Sequence, residues 1–309
     1  MIIRPLVQVT FLSALALHLV ACIGPFKKKD ADEDEISGDD DDDDDDDDAP
    51  ANGNWKETDW CGDMADLSDV ADAYDPSKLR QTLVEVSELR YPPAVAFIDA
   101  QSDSNLNAWF MGSDGNFGQV MDRYEVAVHE GAHIWGFDHF SFSSYSYRIV
   151  DDDHIIETAY LDNFYRSEIL DRHPDPGSDF YSDTYLTGGS GAQGFNTLLD
   201  EYNAYTHSLA SRHCIRDQFG GGSTSARDGI LTFMWYVETY LKIAREDHPD
   251  DYDDIVADNA TVDVILDIWD RAEFWLEVTD GDDSLGIDDD EIAELTYDPD
   301  NLEEINRLR

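Results

Sequence analysis

The stretch Val128-His129-Glu130-Gly131-Ala132-His133-Ile134-Trp135-Gly136-Phe137-Asp138-His139 decides how the rest of the chain is read. His129 and His133 stand four residues apart, so on a helix both imidazoles leave one face, about one turn from each other. Two nitrogens so placed suit a tetrahedral metal ion such as Zn²⁺. Glu130 follows the first histidine, where its carboxylate can reach a water on that ion and accept its proton.

These residues resemble the signature of the zincin metallopeptidases, His-Glu-x-x-His. The resemblance implies that His129 and His133 are ligands and that Glu130 is the general base. It leaves two candidates for the third ligand. The run from Ile134 completes His-x-x-Gly-x-x-His, as in the metzincins, where a turn at the glycine (here Gly136) brings a third histidine (here His139) to the metal. Metzincins also need a methionine in a tight turn beneath the ion. The one downstream methionine, Met234, lies in a stretch that reads as helix interior. The rival is Glu201, followed three residues later by Ala204, which resembles the gluzincin arrangement: a second helix supplies a glutamate, and a small residue one turn on lets it pack closely. The missing methionine turn favours Glu201, with His139 as the alternative. Asp138 and Asp200 are candidates to orient a ligand histidine. Tyr181, Tyr185, Tyr205 and His207 are candidates to line the cleft and stabilise an oxyanion.

Around this motif the chain reads as α+β, with a small N-terminal sheet packed on a zincin-type helix and a mostly helical C-terminal half. Ser77–Leu89 reads as a helix. Ala94–Asp99 and Asn107–Met111 read as strands. A helix runs from about Val120 to Trp135, with Gly136 as its breaker. Ser141–Val150 alternates like a strand, and Asp175–Gly194 reads as a long loop. Phe195–His213, Asp228–Glu246 and Val262–Val278 read as helices.

The front of the chain reads as an address. Residues 1–21 carry Arg4 and then a mostly apolar run, as in a secretory signal. Leu19-Val20-Ala21-Cys22 resembles the bacterial lipobox, which implies lipidation at Cys22; Ile23 in the next position, by the same resemblance, favours the outer membrane. Residues 22–50 contain ten consecutive aspartates, Asp39–Asp48, a self-repelling tether. Residues 51–309 form the expected metallohydrolase domain. The net charge of −50 argues against a nucleic-acid partner. Cys61 and Cys214 remain after Cys22, and in an oxidising compartment they are expected to pair.

One further stretch, 280–291, resembles an EF-hand loop. Asp280, Asp282, Ser284, Asp288 and Glu291 fall where calcium ligands would, although Leu285 stands where the turn glycine belongs. The expected function is therefore a lipid-anchored zinc peptidase acting on a peptide or protein, with Ca²⁺ as a second expected ion. The alternatives are a surface or adhesion lipoprotein keeping the metal for stability, and a calcium-dependent structural lipoprotein.

Overall fold

The computed structural model describes residues 57, 60–61, 64–161, 163–175, 180–219 and 224–309. The signal segment, Cys22 and the aspartate run lie outside the described residues. The described residues are mostly helical, with one small antiparallel sheet among them. None of the described helices is long and apolar enough to cross a membrane.

After Cys61 come a short helix α1 (Ser68–Asp72) and a turn of 3-10 helix at Pro76–Lys78, capped by Asp75, whose side chain accepts from the Ser77 amide. The chain then runs through α2 (Leu79–Arg90) into α3 (Ala94–Ala100) and α4 (Asp103–Trp109). Here the structure differs from the expected strands at Ala94–Asp99 and Asn107–Met111. Pro92 and Pro93 turn the chain, and the Tyr91 and Pro92 carbonyls accept from the amides of Ala94 and Val95, seeding a helix. The buried residues of α3 are Ala94, Phe97 and Ile98, which is helical spacing. Ser102 caps α4 by accepting from the amide of Asn105. The expected N-terminal sheet is therefore absent among the described residues.

The short α5 (Phe117–Met121) precedes α6 (Tyr124–Asp138), which carries both motif histidines. Helix α6 passes through Gly136 instead of stopping there. A Cβ on Gly136 would sit 3.1 Å from the Asp200 carboxylate, and one on Gly131 would sit 2.6 Å from the Phe97 carbonyl oxygen. Both glycines therefore serve the close approach of neighbouring elements. The only sheet among the described residues follows: β1 (Ser144–Arg148) pairs antiparallel with β2 (Ile155–Ala159), with Ser144 opposite Ala159 and Tyr147 opposite Ile156.

The stretch expected as a long loop contains α7 (Phe180–Tyr185) and the single turn α8 (Gly188–Gly191). Then come the three longest helices, α9 (Phe195–Cys214), α10 (Ala226–Asp247) and, after α11 (Pro249–Ala257), α12 (Asn259–Val278). Two short helices, α13 (Asp289–Thr296) and α14 (Pro299–Asn306), close the chain. Helix α9 is the hub: nearly all of it is buried, with α6, α10 and α12 packed around it, while α3 covers another side of α6. Cys61 and Cys214 are joined, with their Cα atoms 4.8 Å apart, tying the start of the described chain to the end of α9. Nearby, Glu57 makes a two-point ion pair with the buried Arg271 of α12.

The loop at 280–291 folds around its own polar groups. The Asp282 carboxylate accepts from the amide and hydroxyl of Ser284, and the backbone amides of Ile287 and Asp288 donate to Asp228 of α10. Arg227 donates to Asp289, and Leu285 is buried. Among the described residues, Asp280, Asp282, Asp288 and Glu291 form no group close enough to hold one ion, and Leu285, which stands where the turn glycine would, is buried.

Glu238 is fully buried on α10. Burial, aided by Asp298 and Glu304 and opposed by Lys242, pushes its carboxyl up from 4.5 to about 9. Between those values the folded chain binds more protons than the unfolded one, so this group makes stability fall as pH rises. Glu238→Gln should therefore lose less melting temperature than the parent between about pH 6 and about pH 9. An equal or larger loss in thermal melts would contradict this.

Candidate metal centre

Helices α6 and α9 build the centre between them. On α9, Glu201, Ala204, Tyr205 and Ser208 follow the i, i+3, i+4, i+7 spacing and form one stripe. Ala204 is fully buried, and its small side chain permits close packing against α6. The structure brings His129, His133 and Glu201 together: one ligating atom from each lies within 4.8 Å of the others, and all three residues are buried. Among the described residues this is the only such group of three.

The hydrogen bonds on the far side of each ring settle which nitrogen faces the centre. His133 Nδ1 lies 2.6 Å from the Asp200 carboxylate, which only accepts, so Nδ1 carries the proton and Nε2 points inward. His129 Nδ1 lies 3.0 Å from Ser208 Oγ. The Ser208 hydroxyl donates its own proton to the Ala204 carbonyl at 3.0 Å, so its oxygen must accept from His129. Both Nε2 atoms therefore face inward, 3.1 Å apart. Glu201 Oε2 lies 3.2 Å from His133 Nε2 and 3.8 Å from His129 Nε2. Two ligands on a tetrahedral ion with bonds of about 2.0–2.1 Å sit about 3.3 Å from each other, so the set is already close to coordination spacing.

Electrostatics favour a cation at this point. Burial disfavours charge on His133, but the Glu201 and Asp200 carboxylates outweigh it and hold its pKa well above the usual histidine value. Asp200 is itself raised by burial, with His133 and a hydrogen bond from Tyr145 opposing. Arg166, fully buried, places Nη2 3.9 Å from Glu201 Oε1 while its Nε donates to the Ser190 carbonyl. This guanidinium offsets part of the negative charge and restrains the outer oxygen of Glu201.

The remaining expectations divide. Glu130 is fully buried on α6 immediately after His129. His139 is not at the centre. Because α6 continues to Asp138, His139 falls beyond the helix end, exposed, with Nδ1 2.7 Å from the Trp135 carbonyl and its ring stacked on Trp135. Asp138 is exposed at the helix end, so Asp200 alone of the two expected aspartates orients a ligand histidine. Met234 lies buried inside α10, not in a turn.

Of the cleft candidates, Tyr205 packs its ring edge-on to His129 at 4.7 Å, and its hydroxyl meets that of Tyr185 at 2.8 Å. Tyr181 donates to the Ser225 carbonyl. His207 is a core histidine. Its Nδ1 bonds the Tyr91 hydroxyl and its Nε2 the Arg148 carbonyl, and burial with nearby Arg271 lowers its pKa well below the usual value. Position 207 lies six residues past Glu201, which turns it about 120° around α9 from the stripe that faces the centre. Sequence reasoning missed Ser208, Arg166 and Tyr145. Ser208 was within reach, since it sits seven residues past Glu201 on the same stripe. Tyr145 comes from a stretch whose alternation marks a strand but not what it packs against, and Arg166 from one that carries no pattern.

Glu201→Ala should weaken binding of a divalent ion at least about 100-fold, and Asp200→Asn by about 10–100-fold, whereas His139→Ala should leave it unchanged. Competition with a chromogenic chelator measures all three, and an equal loss for His139→Ala would contradict the assignment. No protein-family model matches the chain, and no curated protein or solved structure matches it, so the reading of this centre rests on its geometry.

Proposed function

We propose that the chain is a zinc-dependent metallohydrolase acting on peptide bonds, exported and anchored through a lipidated Cys22. The observation that carries the reading is the convergence of two inward-facing imidazole Nε2 atoms with one carboxylate, next to a buried glutamate on the same helix. Two imidazoles and a carboxylate form the donor set of catalytic zinc sites that keep a fourth position for water. Buried imidazole ligands suit a borderline ion such as zinc better than calcium or magnesium, which take oxygen ligands.

Zinc held by His129, His133 and Glu201 would supply a Lewis acid for the substrate carbonyl and lower the pKa of a water. The chain's own residues do the rest. Glu130 accepts a proton on its carboxylate and returns it to the leaving amine. Asp200 and Ser208 keep the Nδ1 protons in place, so both rings present lone pairs inward. Tyr205, whose ring touches His129, and Tyr185, bonded to its hydroxyl, are the candidates to steady the oxyanion. The exposed faces of the acidic chain attract neutral or basic peptides more than acidic ones.

Glu130→Gln tests this reading. The variant should retain about one zinc per chain and lose at least about 100-fold in peptide hydrolysis, the scale expected for removal of a general base. A parent protein that binds zinc but turns over no peptide in a broad library would instead favour a metal-stabilised adhesion scaffold.

A further inference from the structure

We propose that Arg166 is a positioning residue of the metal centre: it keeps Glu201 to a single ligating oxygen and, as a fixed positive charge, weakens the hold on the ion. This rests on the metal-binding part of the reading above. The two oxygens of Glu201 face different groups. Oε2 lies 3.2 Å from His133 Nε2 and 3.8 Å from His129 Nε2. Oε1 lies 3.9 Å from Arg166 Nη2. One oxygen thus looks toward the imidazoles and the other toward a guanidinium.

That guanidinium is anchored by groups other than Glu201. Arg166 opens the 3-10 turn Arg166–Asp171, and it is fully buried. Its amide donates to the Gln193 carbonyl, its Nε to the Ser190 carbonyl at 2.9 Å, and its Nη2 to the Ser190 hydroxyl. The turn α8 that presents Ser190 has little freedom, since a Cβ on Gly191 would clash with the Leu186 carbonyl oxygen. The Tyr185 ring lies under the guanidinium, 5.7 Å from Cζ to the ring centre. Nη1 is buried and has no hydrogen-bond partner, whereas an arginine buried for structure alone would satisfy its donors. Among the described residues Glu201 is the only ion-pair partner of Arg166. Their separation is too long for a hydrogen bond, so the link between them is charge, which acts strongly in a buried site.

A carboxylate can ligate through one oxygen or through both. Ligation through both would draw the ion toward Oε1 and so toward Arg166, against the repulsion of like charges. The ion is therefore kept on Oε2. Three protein atoms then hold it, and a fourth tetrahedral position stays open. The same repulsion opposes binding itself. Asp200 and Ser208 strengthen the hold on the ion by orienting the imidazoles; Arg166 acts with the opposite sign.

The test reads metal binding, so it does not depend on turnover. Zinc affinity of the full-length parent, Arg166→Gln and Arg166→Lys is measured by competition with a chromogenic chelator. Loss of one buried unit charge beside the carboxylate should tighten zinc binding about tenfold. Arg166→Lys keeps the charge and should bind zinc nearly as the parent does. A residue needed only for the fold would weaken zinc binding when lost. X-ray absorption on the zinc-loaded chains reads the ligation mode, because ligation through both oxygens draws the carboxylate carbon closer to the ion. The parent should show one-oxygen ligation and Arg166→Gln two-oxygen ligation. Zinc binding by Arg166→Gln no tighter than the parent's, an Arg166→Lys chain as tight as Arg166→Gln, or two-oxygen ligation in the parent would overturn the proposal and leave the metal centre standing. The parent spectrum needs no variant, so an Arg166→Gln chain that fails to fold does not protect the idea. A parent that takes up no zinc would overturn the centre and the proposal together.

Discussion

Everything at the centre depends on two hydrogen bonds that lie behind it. Asp200 and Ser208, both on α9, hold the Nδ1 protons of His133 and His129 on α6. Without them either ring could flip or change tautomer, and an N–H would point where a lone pair is needed. With them, two imidazole Nε2 atoms and a carboxylate converge in a buried space, where a metal ion would take the place of the proton that Glu201 and Asp200 favour on His133. The packing of α6 on α9 is thus a chemical constraint as well as a structural one. Gly136 and Ala204 are small because they stand where these two helices must come close.

The scaffold around this pair is built to hold position. Helix α3 presses on α6 at Gly131, where a methyl group would meet the Phe97 carbonyl oxygen. Overpacking of that kind typically costs about 1–3 kcal/mol. On another face of α9, His207 belongs to a polar network with Tyr91, Arg271 and Glu57. One helix therefore carries a stripe that lines the candidate metal centre and another that is structural, separated by the helical period. Histidine takes both roles here, and its face on the helix tells them apart.

Much of this was legible from residues alone, for identifiable reasons. The long helices α9, α10 and α12 have apolar stripes sustained over five or more turns, and their expected bounds fall within a few residues of those observed. His129, Glu130 and His133 announced themselves through spacing. Ala94–Asp99 did not, because a six-residue apolar run fits a strand or a buried helix, and the burial at Ala94, Phe97 and Ile98 that decides it depends on tertiary packing. The missing methionine turn favoured Glu201 over His139, and the fold adds a second reason at Gly136. Read locally, a glycine ends a helix; in the fold it admits Asp200 and the helix continues, carrying His139 away from the centre. Arg166 and Tyr145 reach the site from other segments, and only the fold could place them.

The central claim is that His129, His133 and Glu201 bind one zinc ion through two imidazole nitrogens and a carboxylate. X-ray absorption spectroscopy on the purified full-length chain, with its metal content measured in the same sample, tests this most directly. The account predicts one zinc per chain with two imidazoles at about 2.0–2.1 Å, oxygen completing the shell and no sulfur. A chain that takes up no zinc, or zinc whose shell contains no imidazole scattering, would contradict it.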